Sequence, residues 1–114
     1  MTMPRKGDKI LVIKEPWLSL ILDGRKKMEI RGSALRAGKY FLGRAKKIYG
    51  EMTTGPPLHI TDSQAFRQLQ PLHRVSGPCP YKKTFGLPIL RVRSIVQRVS
   101  YKHPRGAISV VRFR

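Results

Sequence analysis

Hydrophobic and polar positions change period several times along these 114 residues, and each change marks an element. Residues 9–14, Lys-Ile-Leu-Val-Ile-Lys, are a continuous apolar run bounded by charge, which predicts a buried strand. Glu15-Pro16 then opens a helix, since the missing N–H of Pro16 is not needed in a first turn. Trp17, Leu18, Leu20 and Ile21 give that helix its apolar face through residue 22. Gly24 falls where the helix needs a left-handed stop, which glycine adopts without steric cost. From residue 27 the period drops to two and predicts a strand over 27–31. Lys27, Glu29 and Arg31 would share one face, and Lys26, Met28 and Ile30 the other.

Residues 32–38 read as a turn, and 39–48 as a third strand with Tyr40, Leu42 and Ile48 inward. Residues 50–60 look like a loop, marked by Gly55-Pro56-Pro57. Thr61 or Asp62 caps a short helix carrying Ala65, Phe66 and Leu69, which Pro71 ends. A second loop covers 72–84 and holds Gly77-Pro78-Cys79-Pro80. Residues 85–99 predict an interrupted strand, with Pro88 at a bulge or an edge. Residues 106–113 alternate as a closing strand, Ile108 and Val110 on one side and Ala107, Val111 and Phe113 on the other. Several strands with few short helices predict a barrel-like, β-rich α+β domain. The length holds one hydrophobic core, so a basic extension, residues 1–8, would precede a single domain, residues 9–114.

Charge adds a partner to this picture. The formal net charge is +18, and all six acids (Asp8, Glu15, Asp23, Glu29, Glu51, Asp62) lie within residues 1–62. Residues 63–114 carry 11 Lys and Arg and no acid. Such a field attracts polyanions, with RNA or another nucleic acid as the first candidate and an acidic protein or membrane surface behind it. No stretch spans a bilayer, because Lys14, Glu15 and Pro16 break the apolar run of residues 10–22; of these partners nucleic acid is expected and a membrane is not. No secretory signal is present and the basic start does not read as a cleaved presequence, which predicts an intracellular protein, cytoplasmic or nuclear. Cys79 is the one cysteine, which excludes an intramolecular disulfide and a cysteine-rich zinc site. His59, His73 and His103 lack ligand spacing, and neither metal nor cofactor is expected.

The densest chemistry lies in Gly24-Arg25-Lys26-Lys27-Met28-Glu29-Ile30-Arg31, with the spacing G-x-K-x-x-E-x-R. With Lys14-Glu15-Pro16-Trp17 before it, this segment resembles the ASCH domain, a branch of the PUA-like superfamily. Pro80-Tyr81-Lys82-Lys83-Thr84-Phe85-Gly86 and Tyr101-Lys102-His103-Pro104-Arg105-Gly106-Ala107 resemble the closing segments of small single-domain ASCH proteins. The resemblance covers roughly residues 9–113. It implies a small, strongly bent PUA-like β-barrel with two or three flanking helices, a cleft beside the motif turn, RNA-linked roles and, in some branches, hydrolysis.

Three motif side chains carry most of the expected function. Lys26 would contact phosphate, or act as a base if burial or nearby positive charge from Arg25 and Lys27 lowers its pKa. Glu29 would pair with Arg31 or a lysine, accept from a base edge or ribose hydroxyl, or activate water. Arg31 offers a planar fork to phosphate or carboxylate. Trp17 would stack on a base beside the cleft, as the resemblance implies, or simply pack in the core. Lys82, Lys83, Arg91, Arg93, Lys102 and Arg105 would form an electrostatic track, and Lys27 is a further expected nucleic-acid contact. Tyr101 and His103, like Tyr81, interleave rings with the bases, as single-stranded nucleic acid requires.

The chain thus reads as an RNA-binding module of the ASCH type. The alternative is a small hydrolase acting on RNA or a modified nucleoside, a ribonuclease or an N4-acetylcytidine amidohydrolase-like enzyme, with Lys26 and Glu29 catalytic. Catalysis here follows from the resemblance, since there is no nucleophile elbow, no phosphate-cradling glycine loop and no paired carboxylates. A third reading makes the chain a component of a ribonucleoprotein, where phosphates would neutralise its charge.

Overall fold

The structure is a computed structural model that describes residues 3–104 and 110–114. The elements run β1 (Lys9–Val12), α1 (Trp17–Leu22), β2 (Met28–Arg31), β3 (Gly38–Arg44) and β4 (Lys47–Thr54). They continue as β5 (Leu58–Ile60), α2 (Ser63–Gln68), α3 (Gln70–His73), β6 (Thr84–Ser100) and β7 (Val110–Arg112). Among the described residues the seven strands form one sheet in the order β2-β6-β4-β3-β1-β7, with β5 also paired to β6. The β1–β3 ladder is parallel; the others are antiparallel. The sheet curls into a half-barrel flanked, among the described residues, by three short helices, a β-rich α+β fold.

The continuous apolar run of β1 reflects burial on both faces. Its neighbours Ile10 and Leu11 are both fully buried but belong to different clusters. On one face Leu11, Ile13, Tyr40, Leu42 and Met52 pack beneath Leu18 and Ile21 of α1. On the other, Ile10 joins Phe41, Ile48, Ile95, Tyr101 and Val111. A third cluster sets Met28 and Ile30 of β2 against Ile60 and Phe66, which docks α2 onto the sheet.

Local signals hold at several places. Gly24 has φ 84° and ends the α1 region in the left-handed conformation. The Asp62 carboxylate accepts the Ala65 N–H at 2.7 Å and caps α2. Elsewhere the outcome differs. The single strand expected over 39–48 is two strands, β3 and β4, reversed by Ala45 and Lys46 at φ 51° and 64°. Two successive positive φ values make the hairpin turn that suits strand twist, here without the Asn or Gly that usually signals it. The expected loop over 50–60 contains the second half of β4 and β5, because Gly50 and Thr54 interrupt the apolar count at inward positions. Pro71 lies within the first turn of α3 and starts a helix where it was expected to end one. Pro88 sits where β6 changes partner: residues 85–88 pair with β2, and 89–100 with β4. Of the closing strand expected over 106–113, Val110–Arg112 is observed and residues 106–109 lie outside the described residues.

Candidate functional site

The strand order leaves β2 at one end of the path and β1 one strand from the other. Curling brings these two together across a seam that no ladder closes among the described residues. Arg31 spans it: its Nη2 donates to the Val12 carbonyl at 2.8 Å. A cavity of about 380 Å³ opens along the seam. Lys14 and Trp17 wall it from the β1–α1 side, Lys26, Glu29 and Arg31 from the motif, and Val75 and Tyr81 from the loop before β6.

Within the cavity, Glu29 is shared between two cations. Its Oε2 accepts from Arg31 Nε at 2.9 Å, and its Oε1 lies 3.7 Å from Lys26 Nζ. Lys26 Nζ also donates to the His73 carbonyl and stands 4.7 Å from the centre of the Trp17 ring. Lys26 and Glu29 are almost wholly buried, at 1% and 5% exposure. Burial pushes the Lys26 amine below its ordinary range; Glu29 opposes this, and the Arg31 charge adds to it. Arg25 and Lys27, the expected sources of that push, do not supply it. Arg25 is bound to Asp23 at 2.7 Å, and Lys27 is exposed. Lys14, Lys26 and Arg31 set three cations against one carboxylate. Arg31 keeps most of its five N–H donors, and Lys26 at least one, for a guest.

Lys26 reaches the cavity because it is not on the strand. Pleat alternation starts at Met28; residues 25–27 are irregular backbone after the turn at Asp23 and Gly24, and Lys26 faces the cavity while Met28 packs in the third cluster with Ile30, which also touches the cavity. Lys27 does not share the cavity with Glu29 and Arg31. Residues 25–27 are pinned by consecutive residues of α3 and its end. Lys27 N–H donates to Leu72 O at 2.7 Å, Lys26 Nζ to His73 O, and Arg74 Nε to Arg25 O at 3.0 Å. Arg74 holds φ 65°, which turns the chain away after the contact. His73 is fully buried; its Nε2 lies 2.7 Å from Phe66 O, its Nδ1 accepts the Val75 N–H at 2.9 Å, and its ring stacks on Phe66. Those partners require the neutral tautomer with the proton on Nε2. Burial holds the His73 pKa below the ordinary value, and the Lys26 charge adds to this.

The structure brings Trp17, Lys26, Glu29 and Arg31 together and puts the exposed Lys82 and Lys83 next in sequence to Tyr81 at the rim. Arg91 and Arg93 are exposed on β6, opposite Thr53 and Glu51 of β4, and do not line the cavity. Lys102 is exposed beyond β6, and His103 is half-buried with its ring 6.4 Å from that of Tyr101. Tyr101 differs from the expected stacking role: it is 6% exposed and part of the second core cluster. The bases around it marked a surface, but the strand end turns its ring inward. Arg105 lies outside the described residues. Tyr81, expected as a ring interleaved with Lys82 and Lys83, is 44% exposed and lines the cavity.

Among the described residues, no three His, Cys, Asp or Glu side chains stand together as a metal would require. Nor is any described helix long and apolar enough to cross a membrane. No protein-family model matches the chain, and no curated protein matches it.

Proposed function

We propose that the chain is an RNA-binding module of the ASCH, PUA-like type, holding one unpaired nucleotide in the seam cavity. One observation carries this reading: an aromatic pair, Trp17 and Tyr81, lines the same cavity as a net-cationic set of donors, Lys14, Lys26 and Arg31 around Glu29. A nucleotide needs that combination, a flat face to stack on and charge-assisted donors for its carbonyl or phosphate oxygens. Glu29 offers an acceptor to an exocyclic amino group or ribose hydroxyl. Lys82 and Lys83 would then follow the backbone out of the cavity.

A hydrolase is the second reading, favoured by one feature: an amine whose pKa burial lowers, 3.7 Å from a carboxylate, inside a cavity. Titration of a short single-stranded RNA against the wild type and Lys26→Ala at two salt concentrations, with the same samples assayed for cleavage, tests both. Intact RNA, steep salt dependence and at least a tenfold loss of affinity in Lys26→Ala are expected. Cleavage that disappears in Lys26→Ala would instead make this a ribonuclease, and unchanged affinity would remove Lys26 from the site. An amidohydrolase would be seen by incubating N4-acetylcytidine with both proteins.

A further inference from the structure

We propose that His73 is a positioning residue for the seam cavity: its neutral imidazole locks the chain from Phe66 to Val75 in the arrangement that aims Lys26 at a guest, and protonating it releases that arrangement. His73 meets the site twice. Its carbonyl takes Lys26 Nζ, and its ring fixes Val75, itself a cavity wall. The bond from Val75 N–H to Nδ1 needs a lone pair, and an imidazolium has none. A proton on Nδ1 would therefore face the Val75 N–H donor head-on in a fully buried place. Relief requires residues 73–75 to move, and the Lys26 acceptor moves with them.

The charged groups on the elements around the ring are Arg25, Lys26, Lys27, Glu29 and Arg31 of the motif, Asp62 and Arg67 of α2 and its cap, and Arg74 at the end of α3. Of these, the Lys26 charge acts on the imidazole, and it opposes protonation. The unfolded chain takes up this proton near the ordinary histidine value of 6.5, and the folded chain only at lower pH. Stability from His73 is therefore complete above about pH 6.5 and declines as pH falls through that window.

The binding consequence rests on the nucleotide reading; the structural one does not. It also runs against the general trend. Added positive charge on acidification should by itself tighten the binding of a polyanion. A His73-controlled cavity should loosen it.

The test is a pH series from 4.5 to 8 on wild type, His73→Asn and His73→Phe. It reads affinity for a short single-stranded RNA, the imidazole nitrogen signals of His73 and the indole signal of Trp17. Asn keeps an acceptor for the N–H two residues on, as in an Asx-turn, and does not titrate. Phe keeps the ring and its stacking but loses both hydrogen bonds. Wild type should lose at least tenfold in affinity on acidification; His73→Asn should show no such loss, and His73→Phe should bind weakly at every pH. A purely structural role predicts the reverse ranking, with His73→Phe binding like the wild type, and that result overturns the proposal. Should a variant not fold, the wild type decides alone: the Trp17 signal must move with the His73 midpoint, and a Trp17 signal indifferent to it sinks the idea. Failure of RNA to bind at any pH would overturn the nucleotide reading and leave the His73–Trp17 coupling to be judged by that signal.

Discussion

Gly32 and Tyr81 show how one absent methyl group shapes the cavity wall. A Cβ on Gly32 would sit 3.0 Å from the Tyr81 ring, tighter than ordinary van der Waals contact. Gly32→Ala should push the ring aside. Because Gly→Ala also restricts the unfolded chain, global stability should change by less than about 1 kcal/mol. Affinity for single-stranded RNA should drop roughly tenfold, within the ~1–3 kcal/mol that a base–aromatic stack contributes. Equal affinity with equal thermal midpoints would show that Tyr81 does not stack. The chemistry of Lys26, Glu29 and Arg31 was legible in their spacing. Their geometry was not, since what buries Lys26 is its packing against residues 72–74, almost fifty positions away. His73 was illegible for the same reason: a lone histidine in a loop-like stretch carries no local sign that its ring and carbonyl both serve a distant turn.

Between β3 and β4 the chain reverses through Ala45 and Lys46, both left-handed and neither suited to it. Replacing the pair with Asn-Gly should stabilise the protein by roughly 1 kcal/mol, read as a higher denaturant midpoint at unchanged slope. No gain would mean that the turn is held by its strands alone. This element also marks where the sequence stopped being readable. β1, α1, β2 and α2 announce themselves through period and caps. β4 does not, since its inward row is Ile48, Gly50, Met52 and Thr54, only two of them large and apolar. β6 runs 17 residues and serves two sets of partners, a use that no local pattern encodes.

Across the whole molecule, cations outnumber acids by four to one, and the acids are already engaged near the motif: Asp23 with Arg25, Glu29 with Lys26 and Arg31. Binding of a polyanion should be dominated by counterion release, with the logarithm of affinity falling linearly against the logarithm of salt. Replacing Lys82 and Lys83 together by Ala should flatten that slope by about 1.4, since each phosphate that a lysine neutralises on a single strand adds about 0.7. Arg91→Ala with Arg93→Ala measures how far the track extends over β6, and an unchanged slope confines it to the rim. The class of fold was visible from composition and period; how the curled sheet leaves an unclosed seam was not, because closure depends on β1 and β2 meeting, and they lie at separate places in the strand order.

That seam gives Arg31 a second office. By hydrogen-bonded ladders, the route from β2 to β1 passes through β6, β4 and β3; through the guanidinium it is a single step. The two margins of the sheet are thus buttoned by the same side chain that, on the proposed reading, would greet an arriving anion. A guest drawing on the remaining donors of Arg31 pulls at both margins together, so occupancy becomes a mechanical event for the barrel. Its imprint would be carried by slowed amide exchange in β1 and β2 at once, legible in the protein without any label on the nucleic acid.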